Sequence, residues 1–222
     1  MKALSRQKAY RGVAMEGFIA DWYTKNTGRD FRRFEAVARD VAERVAPGSR
    51  VLEVAPGPGY LAIQLAKLGR YQVTGLDISR SFVRIAGENA ARAGVEIDFR
   101  QGDAAHMPFP DASFDHVVCM AAFKNFSDPV GALNEIHRVL KPARTASIYD
   151  LRKDASLQEI DEEVQGMNLS ALNAALTKWT FRVMLVRRAY NRDAVERMAA
   201  QSLFKSCEIV EKGIGFEMRL KS

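Results

Sequence analysis

The sequence predicts an α/β fold, in which an open and mostly parallel β-sheet carries helices on both faces. Three observations lead to this prediction. Strand-like apolar runs at 51–54, 71–77 and 95–99 alternate with stretches of helical periodicity. An acidic residue stands at or close to the end of each run, where a ligand lies in sheets of this kind. The 222 residues, 47% of them hydrophobic, suffice for one core and require no second domain.

The first strand leads into a turn that is typical of a ligand-binding loop. Glu53 is followed by the run Ala55-Pro56-Gly57-Pro58-Gly59, and a helix is predicted from about residue 60. Gly57 and Gly59 lack a Cβ, so their N–H groups can approach a bound molecule, and the helix adds its positive N-terminal end. We therefore expect a polar or anionic, nucleotide-like ligand, with a tight turn that holds no ligand as the alternative.

Two further strand ends supply acidic residues to the same edge of the sheet. The second strand ends on Asp77, about 20 residues past the glycines, where a carboxylate accepts hydrogen bonds from vicinal ribose hydroxyls. The third strand leads to Gly102-Asp103-Ala104, which places Asp103 where an adenine amino group could donate to it. The acids on three successive strands therefore indicate a nucleoside site.

These three elements resemble the nucleoside-binding motifs of class I S-adenosylmethionine-dependent methyltransferases. The segments 109–118 and 132–142 are similar to the fourth strand and the following helix of the small-molecule branch, which includes the ubiquinone and menaquinone C-methyltransferases and many O-methyltransferases. The resemblance covers roughly residues 50–150. It implies S-adenosyl-L-methionine as the cofactor and a Rossmann-like, seven-stranded, mostly parallel sheet whose last strand is reversed.

The resemblance also implies which residues contact the cofactor. They are Glu53, Ala55, Pro56, Gly57, Gly59, Asp77, Ile78, Asp103, Ala104 and Met120. The sequence departs from the family pattern in two places. Ala55 stands where the family usually has its first motif glycine, and it is small enough to keep the turn while altering how closely the backbone meets the methionine part. Ala143-Arg144 replaces the usual pair of glycines after Lys-Pro, which should affect only a surface turn.

A nicotinamide dinucleotide is the competing cofactor, because Gly57-x-Gly59-x-x-Ala62 also satisfies the loose dinucleotide fingerprint. The acids on the first and third strands argue against it. The spacing of Tyr149 and Lys153 matches the catalytic pair of short-chain dehydrogenases. That pair requires a helix, where residues four apart share a face, whereas Tyr149 belongs to a strand-like run. We therefore expect the two side chains to lie apart.

Two segments outside the cofactor motifs are predicted to form the substrate side. Residues 1–30 are predicted to be an N-terminal helical cap, and residues 154–190 a helical lid insertion at the carboxyl end of the fifth strand. Within the insertion, apolar residues at helical spacing predict one long amphipathic helix over 169–186. Tyr10, Trp22 and Trp179 are the expected contacts to an apolar small-molecule acceptor. A helix that forms a homodimer is the alternative.

Methyl transfer from a sulfonium mainly requires that the acceptor is held in place, and a base is needed only when the acceptor is protonated. Asp150 at the end of strand five and His106 after strand three are the candidate catalytic residues. Phe123, Lys124 and Asn125, after strand four, are candidate substrate contacts. Surface or capping roles explain each of them equally well.

Composition limits the remaining function classes. The net charge is +6, but the basic residues are scattered and no nucleic-acid module accompanies them, so a nucleic-acid methyltransferase is an alternative, as is a cofactor-binding subunit without catalysis. Cys119 and Cys207 indicate reduced thiols, and the three histidines show no ligand spacing, so we expect no metal. With no apolar run that could span a bilayer and no signal peptide, we expect a cytoplasmic protein.

Overall fold

The computed structural model describes residues 15–27, 31–166, 171–181 and 186–222. Its strands are β1 (Arg50–Val54), β2 (Gln72–Asp77), β3 (Asp98–Gln101), β4 (Phe114–Met120), β5 (Leu140–Leu151), β6 (Glu208–Lys212) and β7 (Gly215–Lys221). They form one seven-stranded sheet in the order β3-β2-β1-β4-β5-β7-β6. The pairs from β3 to β5 are parallel, and β7 is antiparallel to both β5 and β6. The predicted α/β fold with a reversed last strand is confirmed.

Helices cover both faces of this sheet. They are α1 (Phe18–Thr27), α2 (Phe31–Arg44), α3 (Tyr60–Lys67), α4 (Arg80–Arg92), α5 (Pro129–Val139), α6 (Leu157–Gly166), α7 (Ala171–Thr180) and α8 (Arg192–Gln201). Neighbouring residues of β1 illustrate the two faces: Val51 packs in an apolar cluster with α2 and α3, whereas Leu52 packs in a second cluster with α5 and α8. This alternation is the two-residue period of a strand that is buried on both sides.

Side-chain caps fix where several helices begin. The Ser79 hydroxyl accepts a hydrogen bond from the N–H of Phe82 at 3.1 Å, and Asn191 caps α8 in the same way. Asp128 accepts from the Gly131 N–H at 2.8 Å, directly before a proline at the first position of α5. Because these caps satisfy amides that a helix leaves free at its first turn, each helix starts at a defined place after its strand.

The third strand begins later than the sequence pattern predicts. The prediction placed it at 95–99, but β3 pairs with β2 only from Asp98 to Gln101. The reason is that the Val95 N–H donates to the Ala90 carbonyl and so still belongs to the end of α4. The apolar alternation itself is real, since Ile97 and Phe99 both pack against the core. Hydrophobic period located the buried face, while the end of the helix decided where pairing could start.

The prediction of one long helix over 169–186 is wrong. The described part has α7 over Ala171–Thr180, a short 3-10 helix over Val186–Arg188, and an intervening segment, 182–185, that lies outside the described residues. Apolar residues after α7 pack into a small cluster of their own with Leu151 at the end of β5 and Ile214 in the β6–β7 turn. Val186, the last residue of the predicted stripe, lies in this cluster, whereas Trp179 is exposed.

Among the residues that the structure describes, none of the helices combines the length and apolar character needed to cross a membrane.

Candidate active site

The turn after β1 is shaped by left-handed backbone and by two glycines with different roles. Ala55, Gly57 and Gly59 have φ values of 57°, 54° and 82°. A Cβ on Gly59 would lie 3.0 Å from both Ala86 and the Phe99 ring, so Gly59 allows close packing of α3 against its neighbours. A Cβ on Gly57 would meet nothing within 4 Å, so there the glycine leaves open space beside the turn. Ala55 adopts the left-handed conformation despite its Cβ, which stores strain beside the candidate site.

Glu53 is a buried acid with an unsatisfied oxygen. Its side chain accepts a hydrogen bond from the N–H of Ala62, the third residue of α3, but its Oε2 has no hydrogen-bond partner among the described residues. Burial raises the pKa of Glu53 to about 8, and the neighbouring Asp77 contributes to this rise. A buried oxygen without a partner costs free energy, so the position fits a cationic or hydrogen-bond-donating ligand.

Asp77 joins the glycine turn to the start of α4. Its Oδ2 accepts from the Gly57 N–H at 2.9 Å, and its Oδ1 accepts from the Ser79 N–H at 2.9 Å. Burial raises the pKa of Asp77 to about 6, against the opposing effect of these hydrogen bonds. A carboxylate has about four acceptor positions, so two remain for a ligand. The predicted ribose-binding acid therefore lies between the turn after β1 and the start of α4.

Asp103 stands in the turn after β3, the strand that pairs with β2 and so neighbours Asp77. Its Oδ1 accepts from the Ala105 N–H at 2.9 Å and so shapes the turn after β3, while the other oxygen lies 3.8 Å from Nδ1 of His106. Ala104 packs against the core, and Ile78 presents a half-exposed apolar side chain at the adjacent strand end. Asp103 thus has a structural hydrogen bond through one oxygen and a second oxygen that remains, and the geometry is compatible with the predicted contact to an adenine amine.

The loop that follows Asp103 is held by α5. Arg138 donates to the carbonyls of Met107 at 3.0 Å and Phe109 at 2.8 Å, and Glu135 accepts from the Met107 N–H at 2.7 Å. Hydrogen bonds that Arg138 donates to the Glu135 carboxylate hold the pKa of Arg138 above its ordinary value. Nothing in the sequence indicated this clamp, because the loop and α5 are about 30 residues apart and nothing local links them.

At the other end of the site, Lys124 and Asp150 form a buried ion pair. Lys124 Nζ lies 2.7 Å from Asp150 Oδ1, with side-chain exposures of 6% and 1%. Asp150 also accepts from the backbone N–H groups of Lys124 and Leu151, each at 2.8 Å, and Lys124 Nζ donates to the Ala121 carbonyl at 2.8 Å. Sequence reasoning named both residues for separate roles, and the structure brings them together. The pair fixes the turn after β4 against the end of β5.

The two catalytic candidates do not form one site. The Asp150 oxygens already accept hydrogen bonds from one ammonium group and two backbone amides. These bonds favour a positioning role for Asp150 and disfavour a role as a base. His106, with 84% of its side chain exposed, lies beyond β3. Four strand spacings separate β3 from β5, about 19 Å across the sheet. His106 therefore lies at the Asp103 end and away from the Lys124–Asp150 pair.

The other predicted contacts are dispersed. Met120 is buried against α2 and α3, and Phe123 is buried in the opposite cluster with Tyr190. Asn125 is half-buried in the 3-10 turn after β4. Trp179 on α7 is 55% exposed. Tyr10 lies outside the described residues, as does the Trp22 side chain.

The residues linked to dehydrogenase chemistry do not meet either. Tyr149 lies in β5 and donates to Asp40 of α2, and Arg44 donates to its hydroxyl at 2.7 Å. Lys153 lies beyond the strand end, where its N–H donates to the Tyr190 carbonyl. The strand conformation predicted for Tyr149 is confirmed, and it separates the pair. Within the described ranges, His, Cys, Asp and Glu side chains form no cluster of three or more that could hold a metal ion.

Comparison with known proteins gives consistent matches over this region. Residues 52–146 match the family model described as a methyltransferase domain. A 2-phytyl-1,4-naphtoquinone methyltransferase of Synechococcus elongatus is 38% identical over 114 residues, which cover 50% of this chain and 49% of that protein. The O-methyltransferase rstn1 of Aspergillus nomiae is 32% identical over 149 residues, or 64% of this chain and 66% of that protein.

A solved structure extends the likeness to the whole fold. A SAM-dependent methyltransferase from Aquifex aeolicus superposes with a TM-score of 0.70 at 20% identity, covering 92% of this chain and 99% of that one. At this identity the likeness concerns the fold alone. The chain spans about half the length of the naphthoquinone methyltransferase that it matches.

Proposed function

We propose that this chain, which belongs to the class I S-adenosylmethionine-dependent methyltransferases, transfers a methyl group from S-adenosylmethionine to a small-molecule acceptor. One observation carries the proposal. Glu53, Asp77 and Asp103 stand at the carboxyl ends of three neighbouring strands, beside a turn that Gly57 leaves open. Two of these acids are buried, and Glu53 has an unpaired oxygen, as expected of a site that awaits a cationic nucleoside.

These residues would hold the cofactor from its adenine end to its methionine end. Asp77 would accept hydrogen bonds from the ribose hydroxyls with the positions left free by Gly57 and Ser79. Asp103 would accept from the adenine amine, the Ala104 N–H would donate to a ring nitrogen, and Ile78 would cover the base. The turn from Ala55 to Gly59, with Pro56 and the nearby Met120, would hold the methionine part. There the Glu53 carboxylate can pair with a positive charge.

The chain's own work in the reaction is mostly positioning. S-adenosylmethionine supplies a methyl group on a sulfonium, which is already an activated leaving group. The turn after β1 and the turn after β4 hold the two reactants in line, and such alignment can supply roughly 7 to 11 kcal/mol in the best cases. The Lys124–Asp150 pair keeps the β4 turn rigid at the point where the acceptor would enter.

The acceptor is proposed to be apolar or aromatic, methylated on an O, C or S atom. Of the two curated relatives described above, one is named as a 2-phytyl-1,4-naphtoquinone methyltransferase and the other as an O-methyltransferase. In this proposal residues 154–190 act as a lid and residues 1–30 as a cap. Phe123, Lys124, Asn125 and Trp179 lie on the acceptor side, as would Tyr10 and Trp22. A Lys124 ammonium beside the acceptor would favour an oxygen that reacts as an anion.

A turnover screen tests the proposal. Phenols, quinols, thiols, amines and a short RNA are each incubated with the chain and S-adenosylmethionine, and formation of S-adenosylhomocysteine is measured. Turnover confined to one class of small molecule is the expected result. Turnover of RNA would favour the nucleic-acid alternative, and cofactor binding without turnover of any class would favour a non-catalytic subunit.

A further inference from the structure

The segment before and within α1 is fastened to the start of α4. The Glu16 carboxylate accepts from the Arg80 N–H at 3.0 Å, from the Ser81 N–H at 3.1 Å and from the Ser81 hydroxyl at 2.6 Å. The Gly17 N–H donates to the same hydroxyl at 2.9 Å. A carboxylate from outside the helix thus caps the first turn of α4, a favourable place for negative charge.

The same segment also contacts the start of α3. The Tyr60 hydroxyl donates to the Thr24 carbonyl at 3.0 Å, and Tyr60 directly follows the glycine turn. Glu16 and Thr24 are eight residues apart, about 12 Å along a helix, which is comparable to the distance between neighbouring helices. Residues 15–27, called here the N-terminal strap, therefore bridge the two helix starts that border the candidate cofactor site.

A short chain of hydrogen bonds links the N-terminal strap to the ribose-binding acid. The Ser79 hydroxyl donates to the Met15 carbonyl at 2.6 Å, while the Ser79 N–H donates to Asp77 Oδ1. The other oxygen of Asp77 holds the Gly57 N–H. The strap is thus connected by hydrogen bonds, through Ser79, to the loop that carries Asp77 and Ile78.

The contacts between the N-terminal strap and α4 are weak enough to break locally. Glu16 and Gly17 are exposed, so water competes for their hydrogen bonds and each bond contributes little. Among the side chains that the structure describes here, the apolar part of the contact consists of Ala20 and the partly buried Met15 against Phe82 and Ile85. Few buried apolar contacts and many exposed polar ones are the features of segments that open locally well below the energy of global unfolding.

We propose that the N-terminal strap is a gate for cofactor exchange and that Glu16 is the positioning residue that fastens it. The inference rests on the proposed use of S-adenosylmethionine. The strap joins the starts of α3 and α4, and the proposed cofactor lies between them, so we expect the strap to release once in each turnover. The contacts of Glu16 would then set how fast S-adenosylhomocysteine leaves.

Dissociation kinetics of S-adenosylhomocysteine from the full chain test this role. Glu16→Gln removes the charge of the cap, and Ser81→Ala removes the hydroxyl that joins Glu16 to Gly17. Both variants should release S-adenosylhomocysteine at least about threefold faster than the wild type, with melting temperatures close to that of a control. Glu43→Gln is the control, because it removes the same charge from the exposed side of α2.

Hydrogen exchange of the strap amides supplies the second readout. In the wild type, added S-adenosylhomocysteine should slow exchange across residues 15–27, and in Glu16→Gln this protection should weaken. Equal dissociation rates in Glu16→Gln and Glu43→Gln, or strap amides that do not respond to S-adenosylhomocysteine, would overturn the gate. A wild type that binds neither S-adenosylmethionine nor S-adenosylhomocysteine would instead overturn the proposed function.

Discussion

At the scale of single residues, the buried acids of the candidate site destabilise the fold when they are ionised. Glu53 and Asp77 are buried near each other, and burial raises the pKa of Glu53 to about 8 and that of Asp77 to about 6. An acid whose pKa is higher in the folded than in the unfolded chain stabilises the fold at low pH. That contribution is lost as pH rises through the folded-state pKa. Ionisation of Glu53 therefore lowers the free energy of unfolding.

Glu53→Gln should remove this dependence. Between pH 6.5 and 8.5 Glu53 ionises in the folded wild type, whereas Asp77 has already titrated. Burial lowers the pKa of His116 to about 4, so this residue raises the free energy of unfolding of the protein only as pH rises from about 4 to 6.5. Urea titrations should thus show a wild type that loses on the order of 1 kcal/mol or more over this interval, and a variant whose unfolding free energy stays nearly constant.

The same variant should bind S-adenosylmethionine more weakly, because a neutral amide cannot pair with the cofactor's positive charge. Glu43→Gln, an exposed site on α2, serves as the control for both measurements. Equal loss of stability in wild type and Glu53→Gln between pH 6.5 and 8.5 would contradict the assignment of a raised pKa to this residue.

At the scale of elements, the clamp between α5 and the loop after Asp103 gives the next prediction. Arg138→Ala leaves the carbonyls of Met107 and Phe109 without their donor, at a cost of about 1 to 3 kcal/mol. It should also weaken S-adenosylmethionine binding several-fold, since the loop continues from the turn that is proposed to bind adenine. Calorimetry and thermal melting measure the two effects.

Arg192→Ala is the matched control for the clamp. Arg192 donates to the Glu211 carboxylate and the Ile209 carbonyl, and so joins α8 to β6 at the edge of the sheet opposite β3. It should lower stability without changing cofactor affinity. A loss of affinity in both variants would mean that Arg138 acts only through general stability.

The lid insertion predicts a different pattern for Trp179→Ala. Because Trp179 is 55% exposed, its truncation should change the unfolding free energy by less than about 1 kcal/mol. As a lid residue it should raise the Michaelis constant for the acceptor and leave S-adenosylmethionine affinity within about twofold. Leu203→Ala, an equally exposed apolar residue after α8, is the control. Conversion of a dimer to a monomer in sedimentation, with the acceptor constants unchanged, would assign Trp179 to an interface.

At the scale of the whole molecule, the sequence predicted the features that are local or periodic. The acids at three strand ends and the glycine turn could be recognised from adjacent residues, and the reversed last strand followed from the family resemblance. The family resemblance drawn from those motifs is confirmed. The contacts that could not be predicted join distant segments: Glu16 with Ser81, and Lys124 with Asp150. A one-dimensional pattern shows which residues are polar but does not show which of them meet.

The boundaries that failed have the same origin. The start of β3 was decided by how α4 ends, and Val186, at the end of the predicted long helix, lies in a 3-10 helix that packs in a cluster with Leu151 and Ile214. At β3 the apolar period was read correctly. Tertiary packing then chose where each element begins and ends.

The most direct test of the central claim is a calorimetric titration of S-adenosylmethionine and of NAD into the wild type and Asp77→Ala. The wild type should bind S-adenosylmethionine and not NAD. Asp77→Ala should weaken that binding by about 1 to 3 kcal/mol, since charge-assisted hydrogen bonds to the ribose are lost. Asp98→Ala, which removes an exposed acid at the start of β3, should bind like the wild type. Unchanged affinity in Asp77→Ala, or tighter binding of NAD than of S-adenosylmethionine, would contradict the account.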